Sequence, residues 1–324
     1  MTVSILVPAY NAAKYIHQCL ESICKQTYRD LQIVVIDDGS SDETLGILQT
    51  FSNYDARIEI HSRANKGVAE TRNELIAYAK GFYTLFVDAD DWLEPDMVET
   101  LLDMALHHNA QIAMCANTDE NELLPIELEK SKQPVESWTK DIFLKKFLIH
   151  RQLTGALWNK LVETKLYKQI RFDSHVSYGE DAMVMWDVLN LTSVMALTTK
   201  PLYHYRMNGE SLSHRVFSDF KMSVITVWEY ISNSCEEKHH GLVSLAKARY
   251  GAEVSLLLFE AARNGINSDD NKISILRTKL KALLSFMFKD NNLSWRFMLF
   301  ATMARFNWTL TSFLLHENNL KSNK

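Results

Sequence analysis

The first 116 residues show two alternating spacings of apolar positions. Short runs of consecutive apolar residues are typical of strands buried on both faces, whereas apolar residues three or four positions apart are typical of helices with one buried side. The pattern predicts strands at 3–7, 32–36, 58–61, 83–87 and 111–115, and helices at 13–25, 42–51, 68–80 and 95–108. This alternation predicts an α/β fold with a Rossmann-like, mostly parallel sheet flanked by helices.

The remainder of the chain follows a different pattern. Residues 117–135 are rich in Asn, Glu, Lys and Pro and are predicted to form a connector, while residues 139–215 mix short strands and helices with many aromatic residues. Beyond residue 216, apolar residues at helical spacing predict three helices, at 217–237, 242–262 and 273–288. We therefore expect a first domain at 1–215 and a helical C-terminal region at 216–324.

Composition excludes wholesale disorder and reveals an uneven charge. With 324 residues, 47% of them hydrophobic and 23% charged, the chain has the composition of a globular protein. Its net charge is −5, yet the residues from Asn271 onward carry nine Lys or Arg and only two acidic residues. A basic, aromatic-rich end on an otherwise acidic chain predicts contact with an anionic surface.

Cysteine usage and the N-terminus bear on the cellular compartment. The four cysteines form no CxxC pair, and reduced thiols are the simplest explanation for Cys19, Cys24, Cys115 and Cys235. The N-terminus runs directly into the first predicted strand, without the basic segment and long apolar core of a signal peptide. We therefore expect a cytoplasmic protein.

The C-terminal segment 294–315 is long and apolar enough to suggest a membrane helix, but three polar residues interrupt it: Arg296, Arg305 and Asn307. An arginine near the middle of a membrane-spanning helix costs about 2.5–3.5 kcal/mol on insertion scales. A helix that lies on the inner membrane surface is therefore the preferred prediction. The alternative is a helix that closes the C-terminal core.

Three carboxylates follow the apolar run at 84–87, at Asp88, Asp90 and Asp91. Carboxylates packed this closely raise each other's pKa unless a cation lies between them. Oxygen ligands of this kind suit Mg²⁺ or Mn²⁺. The alternative is a solvated turn followed by a helix cap, because Asp is favoured in both places.

Three other polar segments are predicted at the same edge of the sheet. Residues 8–11 follow the first strand, residues 37–42 follow the second, and residues 65–67 precede a helix that carries Arg72 and Asn73. Each could be an ordinary turn. Together they predict a ligand site, because open α/β sheets bind ligands at the carboxyl ends of their strands.

These motifs resemble family 2 glycosyltransferases. The resemblance rests on Val-Ser-Ile-Leu-Val-Pro-Ala-Tyr-Asn (3–11), Val-Val-Ile-Asp-Asp-Gly-Ser-Ser-Asp (34–42), Asn-Lys-Gly-Val-Ala-Glu-Thr-Arg-Asn (65–73) and Phe-Val-Asp-Ala-Asp-Asp (86–91). It covers the first third of the chain strongly and residues 155–213 more loosely. It implies the nucleotide-sugar-binding GT-A fold, followed here by a helical C-terminal extension.

The resemblance implies a nucleotide pocket near the start of the chain. Pro8, Ala9 and Tyr10 would line this pocket. Asp38 would accept a hydrogen bond from the imide N–H of uracil, which selects a UDP-sugar as the donor. Arg72 would help to hold the nucleotide.

The resemblance also implies roles for the residues after the fourth strand. Asp88 would face the ribose, and Ala89 would lie beside the nucleotide-sugar. Asp90 would coordinate Mn²⁺ or Mg²⁺, with Asp91 supporting the ion from behind. The ion would neutralise charge that develops on the departing diphosphate.

A second acidic signal, Glu180-Asp181, begins an apolar helix at 182–191. Acidic residues are favoured at helix N-termini, so the pair alone is explained by structure. The resemblance implies instead that Asp181 is the base that takes the proton of the acceptor hydroxyl. Glu180 would orient the acceptor or substitute as the base.

The looser resemblance at 155–213 suggests an acceptor side. Trp158 could stack on a sugar ring, and Lys160, His204 or Arg206 could contact phosphates. The alternative for Trp158 and Tyr203 is a place in the core, the usual location of aromatic residues.

We therefore expect an inverting glycosyltransferase that moves a hexose from a UDP-sugar to a hydroxyl of a bacterial surface glycan, such as a lipopolysaccharide core, O-antigen or capsule intermediate. Its partners would be the donor, a glycan or glycolipid acceptor and the inner membrane surface, without nucleic acid. One alternative is a nucleotidyltransferase, although residues 8–11 lack its Gly-rich basic loop. The other is a non-catalytic carbohydrate-binding or scaffold protein with the same fold.

Overall fold

The structure is a computed structural model that describes residues 1–119, 123–124, 135–149, 153–207 and 217–312. Within these residues, ten strands form one sheet: β1 Val3–Ala9, β2 Leu31–Asp37, β3 Ile58–Ser62, β4 Tyr83–Phe86, β5 Trp92–Leu93, β6 Ile112–Asp119, β7 Leu123–Leu124, β8 Val135–Thr139, β9 Lys160–Glu163 and β10 Val194–Tyr205. The strand order is β3-β2-β1-β4-β9-β6-β10-β5, with β7 paired to β6 and β8 paired to β10.

The predicted alternation of strands and helices is confirmed for the first part of the chain. β1 pairs in parallel with β2 and β4, and β2 pairs in parallel with β3. The helices that accompany the sheet are α1 Ile16–Cys24, α2 Thr44–Tyr54, α3 Val68–Tyr78, α4 Met97–His107, α5 Lys140–Leu148, α6 Thr164–Tyr167 and α7 Glu180–Leu191. All seven residues of β2 are buried, which explains its uninterrupted apolar run.

Beyond β4 the sheet is mixed, because antiparallel strands are added to the predicted parallel ones. β9 lies antiparallel between β4 and β6, and β5, β7 and β8 each pair antiparallel with a neighbour. The sequence pattern did not predict β9 because the strand is four residues long and begins and ends with a charged residue. β6 also continues to Asp119, so the predicted connector at 117–135 begins as a strand.

The chain divides into two compact units. The sheet unit consists of Met1–Leu144, Arg151–Ser174 and Val184–Asn208, and the helical unit consists of Lys145–His150, His175–Met183 and Gly209–Lys324. The predicted boundary between 215 and 216 lies outside the described residues. Two earlier segments belong to the helical unit. One of them contains Phe147, whose ring packs near that of Trp228, with the centroids 6.1 Å apart.

The predicted helices of the C-terminal region are confirmed. They are α8 Asp219–Lys238, α9 Val243–Arg263, α10 Asn271–Met287 and α11 Trp295–Phe306. The last part of the predicted C-terminal helix, 313–315, lies outside the described residues. Among the described helices, none combines the length and the apolarity that a bilayer crossing needs.

Gly81 allows the chain to enter β4 close beside β1. A Cβ atom at this position would lie 2.5 Å from the backbone nitrogen of Ser4 and 2.8 Å from the carbonyl oxygen of Thr2. The Gly81 N–H donates to Ser4 Oγ (2.8 Å), and the next N–H donates to the Thr2 carbonyl (2.8 Å). Because backbone atoms surround this position, a larger residue would have to displace β1 itself.

We expect Gly81→Ala to lower the free energy of unfolding by about 1–3 kcal/mol, because the added methyl overpacks a rigid site. Urea denaturation followed by circular dichroism measures the change. The control is Gly46→Ala in α2, where the nearest atom to the new Cβ is Glu43 Oε2 at 3.5 Å. Alanine in a helix is favoured over glycine by about 0.5–1 kcal/mol. Equal effects of the two substitutions would contradict the close approach at Gly81.

Candidate active site

The chain turns sharply where β4 ends. The Val87 N–H still donates to the carbonyl of Leu6 in β1 (3.0 Å), and the Asp91 N–H then donates to the Asp88 carbonyl (3.1 Å). This turn places three carboxylates within four residues, 88–91, which we call the acid loop. Ala89 is buried, whereas Asp88 and Asp90 are half-buried. The predicted acidic cluster at a strand end is therefore present.

Asp91 is the buried member of the acid loop. Its Oδ2 accepts from the Tyr203 hydroxyl (2.6 Å), and its Oδ1 accepts from the Arg206 backbone N–H (2.8 Å). The Tyr203 hydroxyl also accepts from the Asp88 N–H (3.2 Å). Burial, followed by the charges of Asp88 and Asp90, raises the pKa of Asp91 to about 8. A cation bound at the loop would relieve this repulsion.

Arg206, at the end of β10, supports the acid loop from a second direction. Its Nε donates to the Asp90 carbonyl (2.9 Å), and its Nη2 donates to Gln18 Oε1 (2.7 Å). The guanidinium lies 4.8 Å from the ring centroid of Tyr15 and 4.7 Å from that of Trp92. These contacts hold the arginine by hydrogen bonds and by cation–π attraction. Arg206 therefore fixes the backbone of the loop, a role that the sequence analysis did not predict.

Arg72 and Asp88, which were predicted separately to contact the nucleotide, lie together. Arg72 Nη2 is 3.7 Å from Asp88 Oδ1, and its guanidinium lies 5.6 Å from the ring centroid of Phe172. The arginine is buried, so its charge acts in a less screened environment than that of a surface residue. This pair places a cation beside the acid loop.

Asp38 connects the end of β2 to the loop after β3 by hydrogen bonds. Its Oδ1 accepts from the Lys66 N–H (2.9 Å) and from Arg63 Nη1, and its Oδ2 accepts from the Gly67 N–H (2.9 Å). The Asp38 N–H donates to the Ala9 carbonyl (2.8 Å). A carboxylate has about four acceptor positions, so a contact to uracil would use the remaining one on Oδ2. The sequence analysis missed Arg63, whose one signal is its place two residues before the Asn-Lys-Gly motif.

The segment after β1 lies beside the segment after β2, as predicted. The Ser41 N–H donates to Asn11 Oδ1 (2.8 Å), and Asn11 adopts a left-handed backbone conformation (φ 49°) that asparagine tolerates. Ala9 is buried and Pro8 is half-buried, while Tyr10 is 54% exposed. Of the three predicted pocket residues, Tyr10 therefore presents the largest accessible surface.

The structure corrects the predicted role of Lys160. This side chain is fully buried in β9, where its Nζ donates to the Ala156 carbonyl (2.6 Å) and to Asn159 Oδ1 (2.8 Å). A buried ammonium with protein acceptors is not placed to contact an acceptor phosphate. Because burying a charge is costly unless it is paired, these two acceptors explain why the lysine is tolerated inside the sheet unit.

Trp158 packs against the aromatic residues at the end of β10. Its ring lies 4.5 Å from that of Tyr203 and 5.5 Å from that of Tyr205, nearly parallel to both. This is the core packing that the sequence analysis kept as an alternative. The residue is half-buried, so a contact between Trp158 and a sugar ring stays a prediction.

Both nitrogens of the His204 ring have partners. Nδ1 lies 2.8 Å from Thr118 Oγ1, and Nε2 lies 2.6 Å from Glu94 Oε1. The ring stacks on Trp92, which also contacts Arg206, with the two centroids 4.8 Å apart. His204 therefore supports the surroundings of the acid loop, and its predicted contact to a phosphate stays a prediction.

Glu180 and Asp181 occupy the first turn of α7, as the helix-start pattern predicted. Both are half-buried, and both belong to the helical unit. Their predicted roles at the acceptor hydroxyl stay predictions. In the part of the chain that the structure describes, no group of three or more His, Cys, Asp or Glu side chains is arranged to hold a metal ion by itself.

We expect Tyr203→Phe to lower the free energy of unfolding by about 1–3 kcal/mol, because it removes a hydrogen-bond partner from the buried carboxyl group of Asp91. Urea denaturation at neutral pH measures the change. The control is Tyr205→Phe, which makes the same chemical change two residues along β10. We expect the control to lower stability less than Tyr203→Phe does, because phenylalanine keeps the ring that stacks on Trp158 and no buried carboxyl group loses a hydrogen-bond donor. If the Tyr203→Phe protein were as stable as the Tyr205→Phe protein, the hydrogen bond between Tyr203 and Asp91 would not contribute the expected stability.

Comparison with curated proteins reveals relatives that are named as a glycosyltransferase and a chondroitin synthase. The chain is 34% identical over 224 residues to Glycosyltransferase GlyA of Streptococcus pneumoniae, a match that covers 67% of this chain and 32% of the relative. It is 30% identical over 262 residues to the Chondroitin synthase of Escherichia coli, covering 71% of this chain and 37% of the relative. The chain thus spans about a third of the length of these two relatives.

Solved structures share the fold. S. aureus TarS 1-349 in complex with UDP-GlcNAc matches with a TM-score of 0.74 at 18% identity, covering 100% of this chain and 91% of that one. The mannosyltransferase PcManGT of Pyrobaculum calidifontis, in complex with GDP-Man and Mn²⁺, matches with a TM-score of 0.50 at 15% identity, covering 99% of this chain and 88% of that one. At these identities the likeness concerns the GT-A fold. The family described as Glycosyl transferase family 2 matches residues 4–168, about half of the chain, and the chain belongs to this family.

Proposed function

We propose that this protein is an inverting glycosyltransferase that moves a hexose from a UDP-sugar to a hydroxyl of a bacterial surface glycan, such as a lipopolysaccharide core, O-antigen or capsule intermediate. The observation that carries the proposal is the acid loop, held at the end of β4 beside the buried cation of Arg72. The complex of TarS with UDP-GlcNAc supports a UDP-linked donor, and the chondroitin synthase supports a glycan acceptor.

On the donor side, charge and exposure support a nucleotide diphosphate. Arg72, 3.7 Å from Asp88 Oδ1, supplies a cation next to the acid loop, and the half-exposed Tyr10 offers a ring for a base. The free acceptor position of Asp38 suits the imide N–H of uracil. Tyr10, Asp38 and Asp88 come from three neighbouring strand ends, where ligands of open α/β sheets bind, and Arg72 comes from helix α3.

The acid loop also fits a divalent metal ion. Asp90 would hold Mn²⁺ or Mg²⁺, assisted by Asp88. The pKa of Asp91 is raised first by burial and then by the charges of Asp88 and Asp90, and a bound ion would relieve the second effect. Hard ions of this kind are held by one or two carboxylates plus substrate phosphates, which agrees with a site that has no complete ligand set of its own among the described residues. When bound, the ion would neutralise charge on the departing diphosphate.

The transfer itself requires a base. In the proposed step, the acceptor oxygen attacks the anomeric carbon from the face opposite the diphosphate, and the bond between that carbon and the phosphate oxygen breaks. UDP leaves with the electron pair, and the Asp181 carboxylate takes the proton of the acceptor hydroxyl. An α-linked donor therefore gives a β-linked product. Glu180, the preceding residue in α7, would orient the acceptor.

We expect release of UDP from one member of a UDP-hexose panel in the presence of Mn²⁺ and a glycan acceptor. Asp90→Ala should abolish this release, because it removes the anchor of the ion. Asp181→Asn should lower kcat by about 100-fold or more while binding of UDP, measured by calorimetry, stays unchanged. UDP release that survives both substitutions would contradict the assignment, and a protein that never releases UDP would instead be a binding protein.

The matched control for Asp90→Ala is Asp30→Ala, which makes the same substitution directly before β2, at the strand end opposite to the acid loop. Asp30 is exposed and pairs with the N-terminal amine. We expect this variant to keep wild-type kcat and KM. A loss similar to that of Asp90→Ala would mean that the acid loop is not specifically required.

The proposal includes a peripheral contact with the inner membrane surface through α11, which would place the protein at the cytoplasmic face. Trp295, Leu299 and Phe306 are 71%, 53% and 71% exposed. At 3.6 residues per turn, the second and third lie about 40° and about 20° from the first, so the three form one stripe. Arg296 and Arg305 flank the stripe at about 100° and about 80° on its two sides. An exposed apolar stripe between basic residues supports docking on anionic lipid.

We expect the double substitution Trp295→Ser and Phe306→Ser to lower sedimentation with vesicles of phosphatidylglycerol and phosphatidylethanolamine, with kcat toward a soluble acceptor unchanged. The control is Tyr54→Ser, which removes an aromatic residue that is 87% exposed in the sheet unit. Unchanged vesicle binding, or equal loss in the control, would contradict docking through α11. Binding to pure phosphatidylcholine at the same strength would contradict the part assigned to the arginines.

A further inference from the structure

The turn that precedes α7 is bonded to the first turn of α8. The Tyr178 N–H donates to Ser223 Oγ (2.9 Å), and the Tyr178 carbonyl accepts from the same hydroxyl (2.8 Å). One residue earlier, Ser177 Oγ donates to the Phe220 carbonyl (3.1 Å). A serine hydroxyl has one proton and two acceptor positions, so Ser223 accepts from the Tyr178 N–H and shares its proton between the carbonyls of Tyr178 and Phe220, the latter at 3.0 Å. The path of the backbone at Tyr178 is therefore set by α8.

The side chain of Tyr178 is held by the same turn of α8. Its ring centroid lies 5.6 Å from that of Phe220 and 5.9 Å from Lys221 Nζ. Lys221 is buried and forms an ion pair with Glu260 of α9. Backbone and ring of Tyr178 are thus both fixed within the helical unit.

Gly179 connects Tyr178 to the start of α7. Its φ of +88° lies in the left-handed region that favours glycine, and its carbonyl accepts from the N–H groups of Ala182 (3.1 Å) and Met183 (3.3 Å). These bonds begin the helix whose first two residues are Glu180 and Asp181. Successive Cα atoms lie about 3.8 Å apart, so the position of Tyr178 restricts where Asp181, three residues later, can lie.

We propose that Ser223 is a positioning residue for Asp181, and that the first turn of α8 is therefore a working part of the transfer site. The proposal rests on the proposed function, because it takes Asp181 as the base. Proton transfer requires the carboxylate to lie within about 2.6–3.2 Å of the acceptor oxygen. A displacement of about 1 Å can lower a rate about 100-fold, so a change at the turn should appear in catalysis without altering donor binding.

The test compares variants in the UDP-release assay with Mn²⁺ and saturating acceptor. We expect Ser223→Ala to lower kcat by about 10- to 100-fold with the KM for the UDP-sugar unchanged. Ser223→Thr keeps the hydroxyl and should restore most of the activity. The control is Ser232→Ala, which removes a buried serine hydroxyl elsewhere in α8 and should leave kcat unchanged.

A double-mutant cycle distinguishes positioning from general destabilisation. If Ser223 acts through Asp181, Ser223→Ala should cause no further loss in an Asp181→Asn background. If Ser223→Ala lowers kcat by the same factor in the Asp181→Asn background as in the wild type, the inference is overturned while the base assignment stands. Wild-type kcat in the Ser223→Ala protein has the same consequence. Full activity of Asp181→Asn would overturn the base assignment, and the inference with it.

Gly179→Ala tests the same turn without a change in α8, should Ser223→Ala fail to fold. The new Cβ would lie 3.5 Å from Val227 Cγ2, an ordinary contact, so the strain comes from the backbone conformation. We expect a lower kcat with unchanged affinity for UDP, measured by calorimetry. Wild-type kcat in a folded Gly179→Ala protein would overturn the inference.

Discussion

The hydrogen bond between the Tyr203 hydroxyl and the Asp91 carboxylate is the constraint on which the acid loop depends. A buried carboxylate is costly unless hydrogen bonds replace the water that it loses. Asp91 receives two such bonds, both from residues at the end of β10. Because Asp91 is fixed in the interior, the loop keeps its turn. Asp88 and Asp90 lie half-buried on the same turn, where the proposal assigns them to the donor and its metal ion.

This constraint explains why a long, irregular strand lies near the site. β8 pairs with the first residues of β10, and β5 and β6 pair with its last residues, so two strands hold the end of β10 that contacts the acid loop. Arg206 then bonds to the Asp90 carbonyl and is enclosed by two aromatic rings. Residues more than a hundred positions away in sequence thus set the geometry of a four-residue loop. The loop motif alone does not contain this information.

The parts that sequence predicted are those with local signals. Apolar spacing reveals strands such as β1 and β2 because their burial repeats along the chain itself. The acid loop was found because three carboxylates cluster directly after a buried strand, and the role of Asp38 came from the family resemblance. β9 was missed, and Lys160 was assigned a contact to an acceptor phosphate, because the acceptors that allow a lysine to be buried become evident only in the folded chain. Arg63 was missed for the same reason, since its partner Asp38 lies in another element.

The helical unit joins two proposed activities in one packed body. Lys221 of α8 pairs with Glu260 of α9, Lys279 of α10 pairs with Glu229 of α8, and Arg277 of α10 donates to the carbonyl of Arg305 in α11. The turn before Asp181 is bonded to the same α8.

If α11 docks on the membrane as proposed, a glycolipid acceptor at that surface would therefore meet a base carried by the unit that is docked. A rigid connection of this kind would lower the entropy lost when the acceptor hydroxyl is brought to the base, because the base would already have a fixed position relative to the membrane surface. The C-terminal helices would then contribute to the transfer step as well as to location.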